Sequence, residues 1–245
     1  MPFLEKTSLI RCVSVFALTI ISQSAGFALI LDDADVSQPV IRSIEGWTIK
    51  VDPELLKPAN KELYDDATAA LGNHLQRIKF VLPKHRVKQL QELPIWLDMD
   101  HPLENMQYHP HPGWLSRHGY DVALAKHVHI PRARRLLERR QWAKHPYVIL
   151  HELAHAYHDQ VLGFDDPEIK AAFEQAKKSG AYEKVLAHNH REVKHYALSN
   201  HKEYFAESTE AYLGVNDFYP FVRAELKVHD PKMFSLLEKI WGVIE

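Results

Sequence analysis

The feature that most constrains this chain is a pair of histidines, one helical turn apart, inside an apolar stretch. His151, Glu152 and His155 form the pattern His-Glu-x-x-His, and the run from Tyr147 to Val161 contains neither Gly nor Pro. Such a run predicts a buried helix that begins near Pro146. On that helix both imidazoles share one face and can bind a single Zn²⁺, with Glu152 beside the ion as a general base.

The abundance of histidine weakens the evidence that this pattern alone gives for a zinc site. The chain has 17 His in 245 residues, so chance produces such a pattern in roughly one chain in twelve of this composition. The alternative interpretation is a core helix whose two histidines are only hydrogen-bonded.

Composition indicates a soluble globular protein, because 46% of the residues are hydrophobic and 25% are charged. A length of 245 residues suits one domain. The net charge of −2 argues against a nucleic-acid partner. The basic run 132–140 alternates with apolar residues and is interpreted as the solvated face of a helix.

The first 28 residues have the layout of a secretory signal peptide. Lys6 and Arg11 precede the apolar run 12–21, and small and polar residues follow at 22–26. We therefore expect a secreted or periplasmic protein of residues 29–245, with no stable membrane insertion after signal cleavage. A retained N-terminal anchor is the alternative.

The order of the predicted elements indicates an α+β fold. Strands are predicted at 44–51, 94–98 and 127–131, and helices at 60–82, 84–92, 165–178, 200–212 and from 230 onward. A mixed N-terminal sheet would thus precede the metal helix and a mainly helical C-terminal lobe, with the lobe boundary near 160–166 and the cleft between the lobes.

Residues 99–117 are rich in His, Pro and aromatic residues and are predicted to form a loop. Its histidines have no regular ligand spacing, so an ordinary surface loop is favoured over a cleft wall or a second metal site. The strand 127–131 is closed by a proline and is predicted to be an edge strand that pairs with an extended substrate.

The third zinc ligand must come from elsewhere in the chain. The metzincin continuation requires Gly three and His six residues after His155, where this chain has His158 and Val161. The best donor is the helix that starts at Asn200, on which Glu203 and Glu207 lie one turn apart.

The motifs at 151–155, 196–200 and 203–207 together resemble the catalytic domain of anthrax lethal factor and its relatives among the gluzincin zinc peptidases. The similarity covers roughly the C-terminal hundred residues and implies a zincin-like fold. It also implies that Glu203 binds zinc, that Tyr196 hydrogen-bonds the developing oxyanion, and that Glu152 is the general base.

Plainer interpretations of the same residues remain open. Glu203 stands three residues after Asn200 and could simply close a capping box. Glu207 is the alternative ligand, or an acceptor that fixes a histidine tautomer. Tyr196 could be an ordinary half-buried tyrosine, and His158 is assigned no role.

The sequence thus predicts a secreted zinc-dependent peptidase acting on a peptide or protein. The sequence is also compatible with two alternatives. One is a secreted zinc-containing binding module without catalysis, and the other is a zinc hydrolase of a non-protein amide such as a cell-wall component.

Overall fold

The computed structural model describes residues 38–244, and the leader predicted for residues 1–28 lies outside them. Within this range the fold is α+β: a five-stranded mixed sheet is followed by a mainly helical region. This is the order that the sequence predicted.

The strands of the main sheet run in the order β1-β2-β3-β5-β4. Parallel pairing joins β2 to β3 and β3 to β5, whereas both outer strands pair antiparallel to their neighbours. The strands are β1 Val40–Ile44, β2 Trp47–Val51, β3 Ile95–Leu97, β4 Gln107–Tyr108 and β5 Val128–Ile130, with β6 Val185–Leu186 and β7 Glu192–Val193 forming a separate pair.

The first predicted strand, 44–51, is corrected to a hairpin. Glu45 and Gly46 form its turn with φ values of 52° and 93°, as a two-residue hairpin turn requires. The strand β1 escaped prediction because three of its five side chains are exposed and give no alternating pattern.

Of the nine α-helices in the described residues, six lie close to the positions that the sequence predicted, and the other three are short. The nine are α1 Lys61–Val81, α2 Lys84–Gln91, α3 Pro112–Arg117, α4 Arg139–Lys144, α5 Val148–Tyr157, α6 Pro167–Ser179, α7 His201–Leu213, α8 Arg223–His229 and α9 Pro231–Trp241. A π-helical turn, His158–Leu162, extends α5 to Gly163. Within residues 38–244, none of the helices combines the length and the apolarity that spanning a bilayer requires.

The segment 99–117 is not the plain loop that was predicted, because it contains β4 and α3. The strand β5 is not an edge strand either. It lies between β3 and β4, and β4 forms the edge. A proline after a strand marks where the strand ends, but it does not show whether a further strand pairs beside it.

The helices α5 and α7 position the site. They pack directly against each other, and α5 also packs on β4 and β5. Val128 and Ile130 face α5 and belong to the main core, together with Ile149 and Leu153 of α5. The predicted metal helix is therefore held between the sheet and the C-terminal helices.

Candidate metal centre

The helix α5 places two imidazoles side by side. His151 is 4% exposed and His155 is half-buried. The Nε2 atoms of the two rings lie 3.1 Å apart. They share a helix face because they are one turn apart, as the motif predicted.

Glu203, at the start of α7, completes a triangle with these two nitrogens. Its Oε2 lies 3.3 Å from His151 Nε2 and 3.2 Å from His155 Nε2. In a tetrahedral zinc site with bonds of about 2.0–2.1 Å, two ligand atoms lie about 3.3–3.4 Å apart. The three atoms therefore already occupy three corners of such a tetrahedron, and the group could hold a metal ion.

The N-terminal cap of α7 sets the position of Glu203. Asn200 Oδ1 accepts hydrogen bonds from the backbone N–H groups of Lys202 and Glu203 at 2.9 and 3.1 Å. The carboxylate of Glu203 points at the two histidines rather than back at the Asn200 amide. The capping-box interpretation of Glu203 is thus wrong, although Asn200 is the cap.

A different carboxylate from the one expected holds the second ring nitrogen of His151. Glu210 Oε1 lies 2.6 Å from His151 Nδ1 and 2.9 Å from His145 Nε2. Glu207 Oε1 lies 3.8 Å from the same Nδ1. Both carboxylates lie on the Nδ1 side of the ring, so Glu207 is not placed to bind an ion held by the two Nε2 atoms. An Nδ1–H bond to Glu210 leaves the Nε2 lone pair free for a metal.

The roles of Glu210 and His145 were not predicted from the sequence. Glu210 follows Glu203 by two helical turns and shares its face, which was the available signal. His145 comes from the end of α4, and no sequence pattern links it to α7.

The carboxylates of the cluster favour a positive charge beside them. Burial lowers the pKa of His151, but hydrogen bonds to Glu203 and Glu210 outweigh it and raise that pKa well above its usual value. Burial opposes ionisation of Glu203, yet the hydrogen bonds from His151 and His155 hold its pKa well below the usual range. A bound proton or a metal ion can supply this positive charge.

Glu152 is buried beside this group and is held by the edge strand. Its Oε2 accepts a hydrogen bond of 2.8 Å from the backbone N–H of Tyr108 in β4. Burial raises its pKa, although the nearby charges of His151 and His155 oppose that shift. A carboxylate with a raised pKa is suited to accept and release a proton.

Tyr196 lies in a short 3₁₀ turn, Tyr196–Ser199, before α7, and it is 50% exposed. Among the described residues its hydroxyl has no hydrogen-bond partner, so it is free to donate to a ligand. Burial, and then the negative charge of Glu203, raise its pKa, which keeps the hydroxyl protonated.

A cavity of about 600 Å³ opens over these side chains. Residues 104–108 and Pro110 form part of its wall, together with Glu152 and Tyr196. This part of the His-rich segment is therefore a wall of the cleft, the less favoured of the predictions for it.

His158 is fully buried and touches the rings of Phe164 and Phe205. Within the described chain neither of its ring nitrogens has a hydrogen-bond partner. It lies outside the three residues of the candidate metal centre.

No protein family, curated protein or solved structure matches this chain. What the structure establishes is an α+β fold in which α5 and α7 bring together buried His and Glu side chains that could hold a metal ion.

Proposed function

We propose that the protein is a zinc-dependent peptidase of the gluzincin type, with a zincin-like fold. His151, His155 and Glu203 would hold the zinc ion, Glu152 is the general base, and Tyr196 stabilises the oxyanion. The observation that carries the proposal is the triangle of ligand atoms at 3.1–3.3 Å, closed by Glu203. The buried Glu152 and the open cavity beside the triangle support catalysis, since a purely structural site needs neither.

The ion would supply Lewis acidity, which lowers the pKa of a water molecule that it binds from about 15.7 toward about 7. Glu152 accepts the proton of the attacking water and carries it to the leaving amine nitrogen as the C–N bond breaks. The Tyr108 amide holds Glu152 in place for both transfers. Tyr196 donates its hydroxyl to the carbonyl oxygen, where negative charge develops in the transition state.

The same proposal includes the location of the protein and its class of substrate. Residues 1–28 direct export, so the protein acts as a secreted or periplasmic enzyme. Its substrate is a peptide or protein that lies in the cavity beside β4, and the net charge of −2 does not favour nucleic acid.

The first test is zinc content by elemental analysis, measured on wild type and on two ligand variants. We expect His155→Ala and Glu203→Ala each to hold one equivalent less zinc than wild type. The exposed His85→Ala and Glu174→Ala serve as matched controls and should retain the wild-type content. Ligand variants with unchanged zinc content would refute the site.

The second test separates catalysis from binding. Glu152→Gln should keep its zinc and lose about 10²–10⁴-fold in the rate of cleavage of a peptide library. Zinc binding without cleavage by wild type would instead favour the binding module. Cleavage of cell-wall glycan-peptides alone would favour a hydrolase of a non-protein amide.

A further inference from the structure

A second group of ligand side chains lies on the other face of the sheet. Trp96 and His129 are direct neighbours in β3 and β5, so their side chains share a face. Val128 and Ile130 point to the opposite face, toward α5. His129 is thus fully buried on the side of the sheet that α5 does not cover.

Asp98 and His101 meet this histidine at the end of β3. Asp98 Oδ2 lies 2.9 Å from His129 Nε2, and the rings of His101 and His129 are 4.8 Å apart. One ligand atom from each of the three residues falls within 4.8 Å of the others. We infer that Asp98, His101 and His129 form a second metal site, which binds a divalent transition-metal ion.

Backbone hydrogen bonds fix the positions of these three residues. The N–H of Asp98 donates to Ile130 O at 2.9 Å, and the N–H of His101 donates to Pro131 O at 2.8 Å. The N–H of Ala133 donates in turn to Asp98 O at 3.0 Å. The segment that carries Asp98 and His101 is therefore tied to the end of β5, which itself carries His129.

The second nitrogen of His129 is also held. His129 Nδ1 lies 3.0 Å from His109 Nε2. His109 is also buried, and its Nε2 is placed to accept a hydrogen bond from His129 Nδ1–H. An Nδ1–H bond to His109 leaves the Nε2 lone pair of His129 directed at Asp98, as a ligand requires.

The donor set selects the class of ion. Two imidazoles and one carboxylate suit zinc, iron, nickel or copper, whereas calcium and magnesium require mainly oxygen ligands. Separating Asp98 Oδ2 from His129 Nε2 to a tetrahedral ligand spacing needs a movement of only about 0.4 Å. Asp98 and His101 are partly exposed, so an ion could reach them from solvent.

An ion here would connect the sheet to the wall of the cavity. His101 begins the segment that leads to β4, and residues 104–108 of that segment line the cavity. Binding would therefore hold this wall to the ends of β3 and β5 and stabilise the folded state.

The test counts metal in protein that has been loaded with excess zinc and then freed of unbound ion. Wild type should hold two equivalents, His101→Ala one, Glu203→Ala one, and the double variant none. His101 is the position to change, because it is partly exposed while His129 is fully buried. His85→Ala is the control and should hold two equivalents.

The two variants distinguish the second site from the first. Equal zinc in wild type and His101→Ala would overturn the second site and leave the first untouched. Zinc lost in His101→Ala but unchanged in Glu203→Ala would support the second site and overturn the first. No zinc in wild type would overturn both.

A second measurement reports directly on His101. The backbone N–H of Leu103 donates to His101 Nδ1 at 3.1 Å. A neutral imidazole that binds an ion through Nε2 carries its proton on Nδ1, so zinc must break this bond. The amide resonance of Leu103 should shift on zinc addition to Glu203→Ala and stay unchanged in Glu203→Ala/Asp98→Ala. A Leu103 amide that zinc does not move in Glu203→Ala would contradict binding through His101 Nε2.

Discussion

The carboxylate of Glu210 links the candidate zinc ligand His151 to His145, at the end of α4. It is fully buried, and it accepts hydrogen bonds from His151 Nδ1 and His145 Nε2. Acceptors of this kind fix the tautomer and the orientation of a ligating histidine. At the scale of single residues, therefore, a side chain outside the ligand triangle would help to determine how tightly an ion is held there.

Glu210→Gln should weaken zinc binding about 10–100-fold. The substitution removes the negative charge that orients the ring of His151 and makes its Nε2 a stronger ligand. The measurement is the zinc dissociation constant, obtained by competition with a chelating dye. Glu174→Gln on the exposed face of α6 is the control and should bind zinc as wild type does. A larger effect from Glu207→Gln than from Glu210→Gln would show that Glu207, not Glu210, orients the ring.

At the scale of elements, the start of α7 decides where Glu203 lies. Asn200 Oδ1 binds the N–H groups of Lys202 and Glu203 in the first turn. Loss of such a cap costs about 1 kcal/mol of stability. The effect is local to the turn that carries Glu203, so the loss of the cap on α7 should also weaken metal binding.

Asn200→Ala should lower the free energy of unfolding by about 1 kcal/mol and raise the zinc dissociation constant several-fold. Urea unfolding and dye competition measure the two effects. Asn60→Ala is a matched control, because Asn60 precedes α1 but its side chain donates to Glu54 O instead of capping the helix. Equal loss of zinc affinity in both variants would mean that the cap does not position Glu203.

At the scale of the whole molecule, buried neutral histidines link stability to pH. His74 is 5% exposed and stacks on Trp142 with ring centroids 4.2 Å apart. Burial, followed by the charge of Arg77, lowers its pKa from 6.5 to about 4. The unfolded chain therefore binds a proton at a higher pH than the folded chain does. The stability due to this group is complete above pH 6.5 and is lost as the pH falls toward 4.

His74→Phe should make the unfolding midpoint in urea fall less steeply between pH 6.5 and pH 4. The Phe ring can keep the stack on Trp142 but cannot bind a proton. The pH-dependent change in the free energy of unfolding that the substitution removes between pH 6.5 and pH 4 is on the order of 3 kcal/mol. The exposed His85→Phe should leave the slope unchanged. An unaltered slope in His74→Phe would show that His74 takes up its proton in the folded state as easily as in the unfolded one.

Local interactions explain which parts of this fold could be predicted. The apolar positions of α1 recur at helical spacing, and Leu63, Ala67, Leu71, Leu75 and Ile78 are all buried as expected. Gly180 ends α6 with a φ of 71°, and Asp166 caps its start, one residue later than predicted. Periodicity and caps act within a few residues, so the sequence alone carries them.

Short strands and contacts between distant residues could not be predicted in the same way. All three residues of β5 are buried, so no alternation distinguishes an inner strand from an edge strand. The two residues of β4 lie in a segment rich in proline and histidine, and their pairing with β5 makes them a strand.

The sequence by itself determined the fold class, the helix that carries His151 and His155, and the helix that carries Glu203. Only the tertiary structure decided that Glu210, and not Glu207, holds His151, and that Asp98 meets His101 and His129. The physical reason is that a helix or strand fixes which residues share a face, through bonds between near neighbours. The packing of α5 against α7, and of β3 against β5, then decides which faces meet.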